Sequence, residues 1–297
     1  MITRLNHWRW LVVGALGFAA LAVWSAVFAL AERQDLTLTV LDIGQGEALF
    51  IDAGNGVQVL IDGGPSDAIL EKLGTAMPFW DRTIELVVLT HPHADHVSGL
   101  VSVLDRYRVG MVIDSGVAHE IADYAAWQER IRDQGIVRHV PVAGERIRID
   151  ADTVFEVLAP LENFDGRTAP VHDAMVVLRL VDAGATALLT GDAEADVEAH
   201  ILSSGGIVSA DLLKVGHHGS KTSTSARFLE AVRPAMAAMS LGAGNRYGHP
   251  HPSVVSRLEA AGVPIYRTDR RGDCIFTSTG ESFAVRCVRE NTLPAIE

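Results

Sequence analysis

The chain has 297 residues, long enough for one large domain or two small ones. With 48% hydrophobic and 21% charged residues it is not a disordered chain, and a formal charge of −12 argues against an obvious binder of polyanions. Two cysteines are too few for a disulfide scaffold.

Residues 1–31 differ from the rest. Arg4 and Arg9 are their only formal charges, and residues 11–31 carry none. At about 1.5 Å per residue that run reaches roughly 30 Å, the thickness of a bilayer core. The basic flank comes first, so the expectation is a single-pass cell-membrane anchor with its amino terminus in the cytoplasm and everything after it outside. The alternative is a signal peptide cut near Ala31, since Ala29-Leu30-Ala31 offers a small-residue site. The expected organisation is an anchor over 1–34, one folded domain over 35–290 and a tail over 291–297. Without residues 1–31 the chain keeps 23 basic and 37 acidic side chains, or −14.

After Glu32 the pattern turns to short strands and loops: 36–43, 47–54, 57–64 and the apolar run 84–91. Helical spacing follows at 97–107, then a strand at 109–113, a helix at 119–134 and strands at 136–140, 145–149 and 153–158. A hairpin is expected from 174–181 to 185–190, turning at Asp182-Ala183-Gly184. The last third reads as helix 193–203, strand 211–215, helix 223–232, strand 235–240, helix 252–261, strand 264–267 and a closing hairpin of 273–279 with 282–288. Both halves mix hairpins with covering helices, which suggests two sheets face to face with helices outside, an αββα sandwich of the α/β class.

The chemistry concentrates in "THPHADHVSGL". His91 and His93 stand two apart just past a strand and can converge on one cation, while Asp95 and His96 follow and can face a second. Imidazole and carboxylate suit zinc- or manganese-like ions, and the absence of sulfur disfavours a structural cysteine-rich zinc site. Further donors sit in expected loops at strand ends: His172 in "PVHDAM", Asp192 in "LLTGDAE", and His217 and His218 in "LLKVGHHGS".

In this combination the chain resembles the metallo-β-lactamase superfamily, and within it the hydrolase domain of ComEC-type DNA-uptake proteins. The matching stretches are "LDIGQGEALFI", "VLIDGG", "LTHPHADHVSGL", "LLTGDAE", "DLLKVGHHGSKTSTS", "MSLGAGNRYGHPHPSVVSRL" and "YRTDRRGDCIF", over about 36–280. The resemblance implies an αββα sandwich with two divalent metal ions, zinc or alternatively manganese. His91, His93 and His172 would hold one ion. Asp95, His96 and either His217 or His218 would hold the other, with Asp192 bridging and Asp62 orienting the set from behind. Asparagine is usual in this branch where His172 stands, and some members lack the second histidine of the pair, so the ligand set here is the fuller one. Glu47 replaces an aspartate usual after "GQG".

No serine or cysteine nucleophile is evident, which fits metal-assisted hydrolysis. Asp95 and His249 are the expected catalytic side chains, with Ser220, Lys221, Asn245 and His251 as donors to a phosphate group. Lys214, Lys221, Arg246, Arg267, Arg270 and Arg271 are candidates for a basic patch. The function so implied is an extracytoplasmic phosphodiesterase, acting on single-stranded DNA beside a separate uptake pore protein. A small or envelope-borne ester (phosphodiester, lactone or β-lactam) is the second reading, and a non-catalytic binding component the third. Cys274 and Cys287 fall on one face of the closing hairpin, as a cross-strand disulfide or as two buried thiols.

Overall fold

The computed structural model describes residues 4–30 and 35–289. The cleavage site near Ala31 and the tail 291–297 lie outside the described residues. The chain divides into two units, Met1–Gln34 and Asp35–Glu297. In the first, α1 (Arg4–Leu30) is long and apolar enough to cross a membrane, and no part of its apolar stretch Trp8–Ser25 is buried.

In the second unit, β1 (Thr37–Val40), β2 (Leu49–Asp52) and β3 (Gln58–Ile61) form an antiparallel meander. Next come α2 (Ala68–Ala76), β4 (Thr83–Leu89), α3 (Ala94–Arg106), β5 (Arg108–Asp114), α4 (Ala122–Gln134) and β6 (Val137–His139), whose strands run parallel to β3. The other sheet starts with β7 (Arg146–Arg148), β8 (Thr153–Ala159), β9 (Val177–Asp182) and β10 (Ala185–Leu189) as antiparallel neighbours. It continues through α5 (Ala195–Ser203), β11 (Leu212–Lys214), α6 (Ala226–Val232), β12 (Met236–Met239), α7 (Pro252–Ala260) and β13 (Ile265–Arg267), with β10 to β13 parallel. A single turn, α8 (Thr268–Arg271), leads to the hairpin β14 (Cys274–Ser278) and β15 (Phe283–Cys287), which returns to pair with β1. Among the described residues the sheets therefore run β15-β14-β1-β2-β3-β4-β5-β6 and β13-β12-β11-β10-β9-β8-β7.

Side-chain parity along each strand explains the layers. In β4, Leu86 and Val88 point between the sheets, where they join Ile51, Ile61, Phe155, Leu178 and Leu189. Val87 and Leu89 point the other way, onto Leu100, Leu104 and Trp127 of α3 and α4. The second sheet does the same with Leu188 and Leu213 against Ile201, Phe228 and Leu258 of α5, α6 and α7. A strand buried on both faces must read as a continuous apolar run, which is why "ELVVL" shows no alternation. The architecture is the expected αββα sandwich.

Several boundaries differ from the sequence reading. The helix read at 119–134 starts at Ala122, leaving residues 119–121 as loop. The helix read at 97–107 starts at Ala94, so Asp95 and His96 lie in its first turn. Strand β9 starts at Val177 because the preceding stretch is drawn aside, with the Val176 amide donating to the Thr90 carbonyl at 2.9 Å. Helix α2 escapes the sequence reading, since Gly74 and the short apolar spacing hide it. Cys274 and Cys287 face each other in register and form a disulfide.

Candidate metal centre

The strands β3, β4, β10, β11 and β12 all deliver their carboxyl ends to one edge of the sandwich. Asp62 follows β3, His91–His96 follow β4, Asp192 follows β10, and His217 and His218 follow β11. Close backbone approach sets this edge. Gly99 of α3 lies against the Gly63 carbonyl with no room for a side-chain carbon, and Gly46 stands equally close to the Asp95 carbonyl. Asp62 (φ 58°), His217 (φ 46°) and His218 (φ 53°) all hold left-handed backbone conformations, which cost non-glycine residues of order 1–3 kcal/mol each.

Asp192 is the hub. Its carboxylate oxygens lie 3.3 Å from His96 Nε2, 3.5 Å from His218 Nε2, 3.7 Å from His217 Nε2 and 3.8 Å from His91 Nε2. His91 Nε2 faces His93 Nδ1 at 2.9 Å, and the His172 ring stands 5.0 Å from that of His93 and 5.5 Å from that of His91. His218 Nε2 lies 3.5 Å from Asp95 Oδ2. Among the described residues three sets of donor atoms are close enough to share an ion: His91, His93, His172 and Asp192; Asp95, His96 and His218; and Glu47, Asp192 and His218.

Three imidazoles are held through their Nδ1 atoms. His96 Nδ1 is 2.7 Å from Asp62 Oδ2, and Thr90 Oγ1 donates to the same oxygen at 2.7 Å. With its proton committed there, the Thr90 hydroxyl accepts from His91 Nδ1 at 3.1 Å. His218 Nδ1 donates to the Ser240 carbonyl at 2.8 Å. Each ring therefore turns its Nε2 towards Asp192.

A cation fits this set. His96 Nε2, His172 Nε2, His218 Nε2 and Asp192 Oδ1 are buried without a hydrogen-bond partner, a state that costs about 1–3 kcal/mol per atom. Burial holds His91 well below the ordinary histidine range and His93 at about 4, so both rings are neutral and able to ligate. Burial works against the charged forms of Asp95 and Asp192 as well. The His218 ring 3.5 Å away nevertheless keeps Asp95 at about 2, and the charges of His218 and His96 hold Asp192 well below the carboxylate range.

The remaining expected residues divide. Between the two adjacent histidines, the structure brings His218 into a donor set, while His217 Nδ1 turns to Glu194 Oε1 at 3.1 Å. His249 lies at the rim, its ring 5.7 Å from that of His217 and its buried Nδ1 without a partner. Burial and the neighbouring histidines lower its pKa. Asn245 is spent on its own turn, with its amide donating to the Gly242 and His249 carbonyls. His251 is not aimed at the centre: it caps α7, accepting from the Ser253 amide at 3.2 Å. Ser220 is tied to Thr222 at 2.9 Å, and Lys221 is exposed. The six candidate cations do not form a single patch, although Arg267, Arg270 and Arg271 line one pocket together. Lys214 is buried, with Nζ 2.5 Å from Glu47 Oε2, and Arg267 pairs with Asp269.

Sequence reasoning missed Glu194, which also lies 3.8 Å from His172 Nδ1, and His119, whose ring is 5.8 Å from that of His93. Neither belongs to a recognisable spacing. It also left Glu47 without a role, yet Glu47 is fully buried and within ligand range of Asp192 and His218.

The sequence pattern described as the metallo-beta-lactamase superfamily matches residues 41–242. The chain is 33% identical over 251 residues to ComE operon protein 3 of Bacillus subtilis, an alignment covering 78% of this chain and 32% of that one. It is 32% identical to Competence protein ComA of Neisseria gonorrhoeae, covering 81% of this chain and 32% of that one. The chain thus spans about a third of the length of these relatives. Among solved structures, Igni18, a metallo hydrolase from Ignicoccus hospitalis, superposes with a TM-score of 0.54 at 14% identity, over 82% of this chain and all of that one.

Proposed function

The chain belongs to the metallo-β-lactamase superfamily, and from that premise we propose that it is a membrane-anchored, extracytoplasmic phosphodiesterase with two metal ions, acting on DNA during uptake. The observation that carries this reading is the position of Asp192, within 3.3–3.8 Å of histidines from the first two donor sets. In the proposal His91, His93 and His172 hold one ion, Asp95, His96 and His218 the other, and Asp192 joins them. Zinc is the first choice, with manganese the alternative. The relatives named for competence support DNA as substrate, and α1 supports the anchor.

A bound pair of divalent cations lowers the pKa of water and polarises the oxygens of an ester. The chain's own residues supply the rest. Asp62 and Thr90 fix the ring angles of His96 and His91, and Ser240 fixes that of His218. His249 Nδ1, at the rim and free of other partners, gives its proton to the leaving oxygen. An arriving phosphate anion raises the depressed pKa of His249 and so readies the ring for that transfer.

The formal charge of −14 outside residues 1–31 favours a second reading, a small or envelope-borne ester in place of DNA. One experiment separates them. The full chain, loaded in turn with zinc and manganese, is assayed on single-stranded DNA, on bis-p-nitrophenyl phosphate and on chromogenic lactone and β-lactam substrates. The expected result is cleavage of both phosphodiesters. Turnover of the small diester alone would remove DNA, and turnover of the lactone or β-lactam alone would remove the phosphodiesterase.

A further inference from the structure

The sandwich has a second end, opposite the metal centre, and it exposes two large aromatic side chains. Phe79 is 79% exposed and Trp80 73%, and they touch each other edge to face at 4.8 Å. They sit in the loop between α2 and β4. Three exposed arginines belong to the same end: Arg82 beside the loop, Arg106 in the last turn of α3, and Arg108, whose amide donates to the Arg82 carbonyl at 2.8 Å. The one carboxylate in the loop, Asp81, is turned inward and accepts from the Thr83 amide at 3.0 Å and from Gln58 Nε2 at 3.2 Å.

Strand register shows where the chain enters this domain. Thr37 of β1 pairs with Asp52, Asp52 with Gln58, and the residues after Gln58 run parallel to those after Glu85 in β4. The start of β1 and the start of β4 therefore share an end, three strand spacings apart, or about 14 Å. Within the folded unit, β1 begins at the end that carries Phe79 and Trp80.

We propose that this end is a membrane-contact face, with Phe79 and Trp80 seated among lipid headgroups and Arg82, Arg106 and Arg108 reaching their phosphates. Amphipathic aromatic rings favour the water–bilayer boundary, and arginines beside them add attraction to anionic lipid. The neighbouring turns are polar and also carry acid: Asn55 Nδ2 donates to Asp150 at 2.6 Å, Thr279 Oγ1 donates to the Ser282 carbonyl at 3.1 Å, and Asp105, Asp152 and Glu281 are exposed, so the arginines and aromatic rings have to outweigh these carboxylates at an anionic surface. Within the folded unit the metal centre lies at the other end of β4 (Thr83–Leu89), about 20 Å away by strand rise. The proposal rests on the reading of α1 as an anchor.

The test uses the full chain in phosphatidylethanolamine–phosphatidylglycerol vesicles. Phe79→Cys and, as the distant control, Ala118→Cys are labelled with an environment-sensitive fluorophore, the native cysteines being paired. Flotation comes first: a chain that does not float overturns the anchor and this proposal together. For chains that float, the expected result is several-fold stronger quenching at position 79 than at position 118 by headgroup spin label, weakening in vesicles without phosphatidylglycerol. Equal quenching at the two positions overturns the contact face and leaves the anchor standing.

Discussion

The two sheets contribute to the centre in different ways. The first provides His91, His93, Asp95 and His96 from a single loop running into the first turn of α3. The second provides His172, Asp192 and His218 from three loops, and they meet only because strands pair. Leu189 of β10 stands beside Lys214 of β11, so the residues that follow each strand, Asp192 and His217-His218, emerge side by side. One half of the centre is written in local spacing, the other in register. A local half survives small shifts of the sheet, whereas a half built by register depends on every pairing that holds the strands.

The sharpest way to break this comparison is at the hub. Asp192→Ala should abolish turnover, a loss of 10³-fold or more and so at least about 4 kcal/mol, and should lower bound metal on both sides. Loss of only one equivalent, read by elemental analysis, would mean that the two halves do not share this carboxylate. Next in size is the pair that ties the sheets together. Lys214→Met leaves Glu47 charged and dry, and should lower stability by about 3–5 kcal/mol in thermal or denaturant unfolding. The double change Glu47→Leu/Lys214→Met should recover much of that loss, and failure to recover would show that packing, not charge, sets the cost.

Smaller effects sharpen the same contrast. Asp62→Asn keeps the shape but weakens the hold on His96, and should reduce metal affinity about 10- to 100-fold by chelator competition. That loss should be larger on the His96 side, with a smaller share reaching His91 through Thr90. The smallest expected effect belongs to His251→Ala, which removes a helix cap worth about 1 kcal/mol and should leave KM and kcat unchanged. A raised KM would return His251 to the substrate side.

Much of this is legible in the amino-acid sequence itself. The strand-loop-helix around "THPHADHVSGL" carries its own signal, because donors bunched after an apolar strand have few other uses. Alternation and apolar runs mark out the layers. What stays hidden depends on partners far along the chain. Nothing local distinguishes His217 from His218; their different surroundings come from two left-handed residues in a row and from the Ser240 carbonyl just past β12, which holds His218 Nδ1. Glu47 finds its partner 167 positions later. Asn245 and His251 look like substrate donors in a histidine-rich loop, yet one knots the turn and the other starts a helix. Lys214 reads as a surface cation because only the tertiary fold shows that it is enclosed.

The enclosed contact between Glu47 and Lys214 also limits how the molecule can move. It spans from the first sheet to the second with both side chains out of water. A shear of one layer over the other would pull an unpaired charge into a dry interior at once, so that motion is closed off. Any room for a bulky substrate lies instead at the rim, beside the loops that carry the half-buried His172 and His249. A crosslink between those two loops should slow turnover of long substrates while sparing short ones.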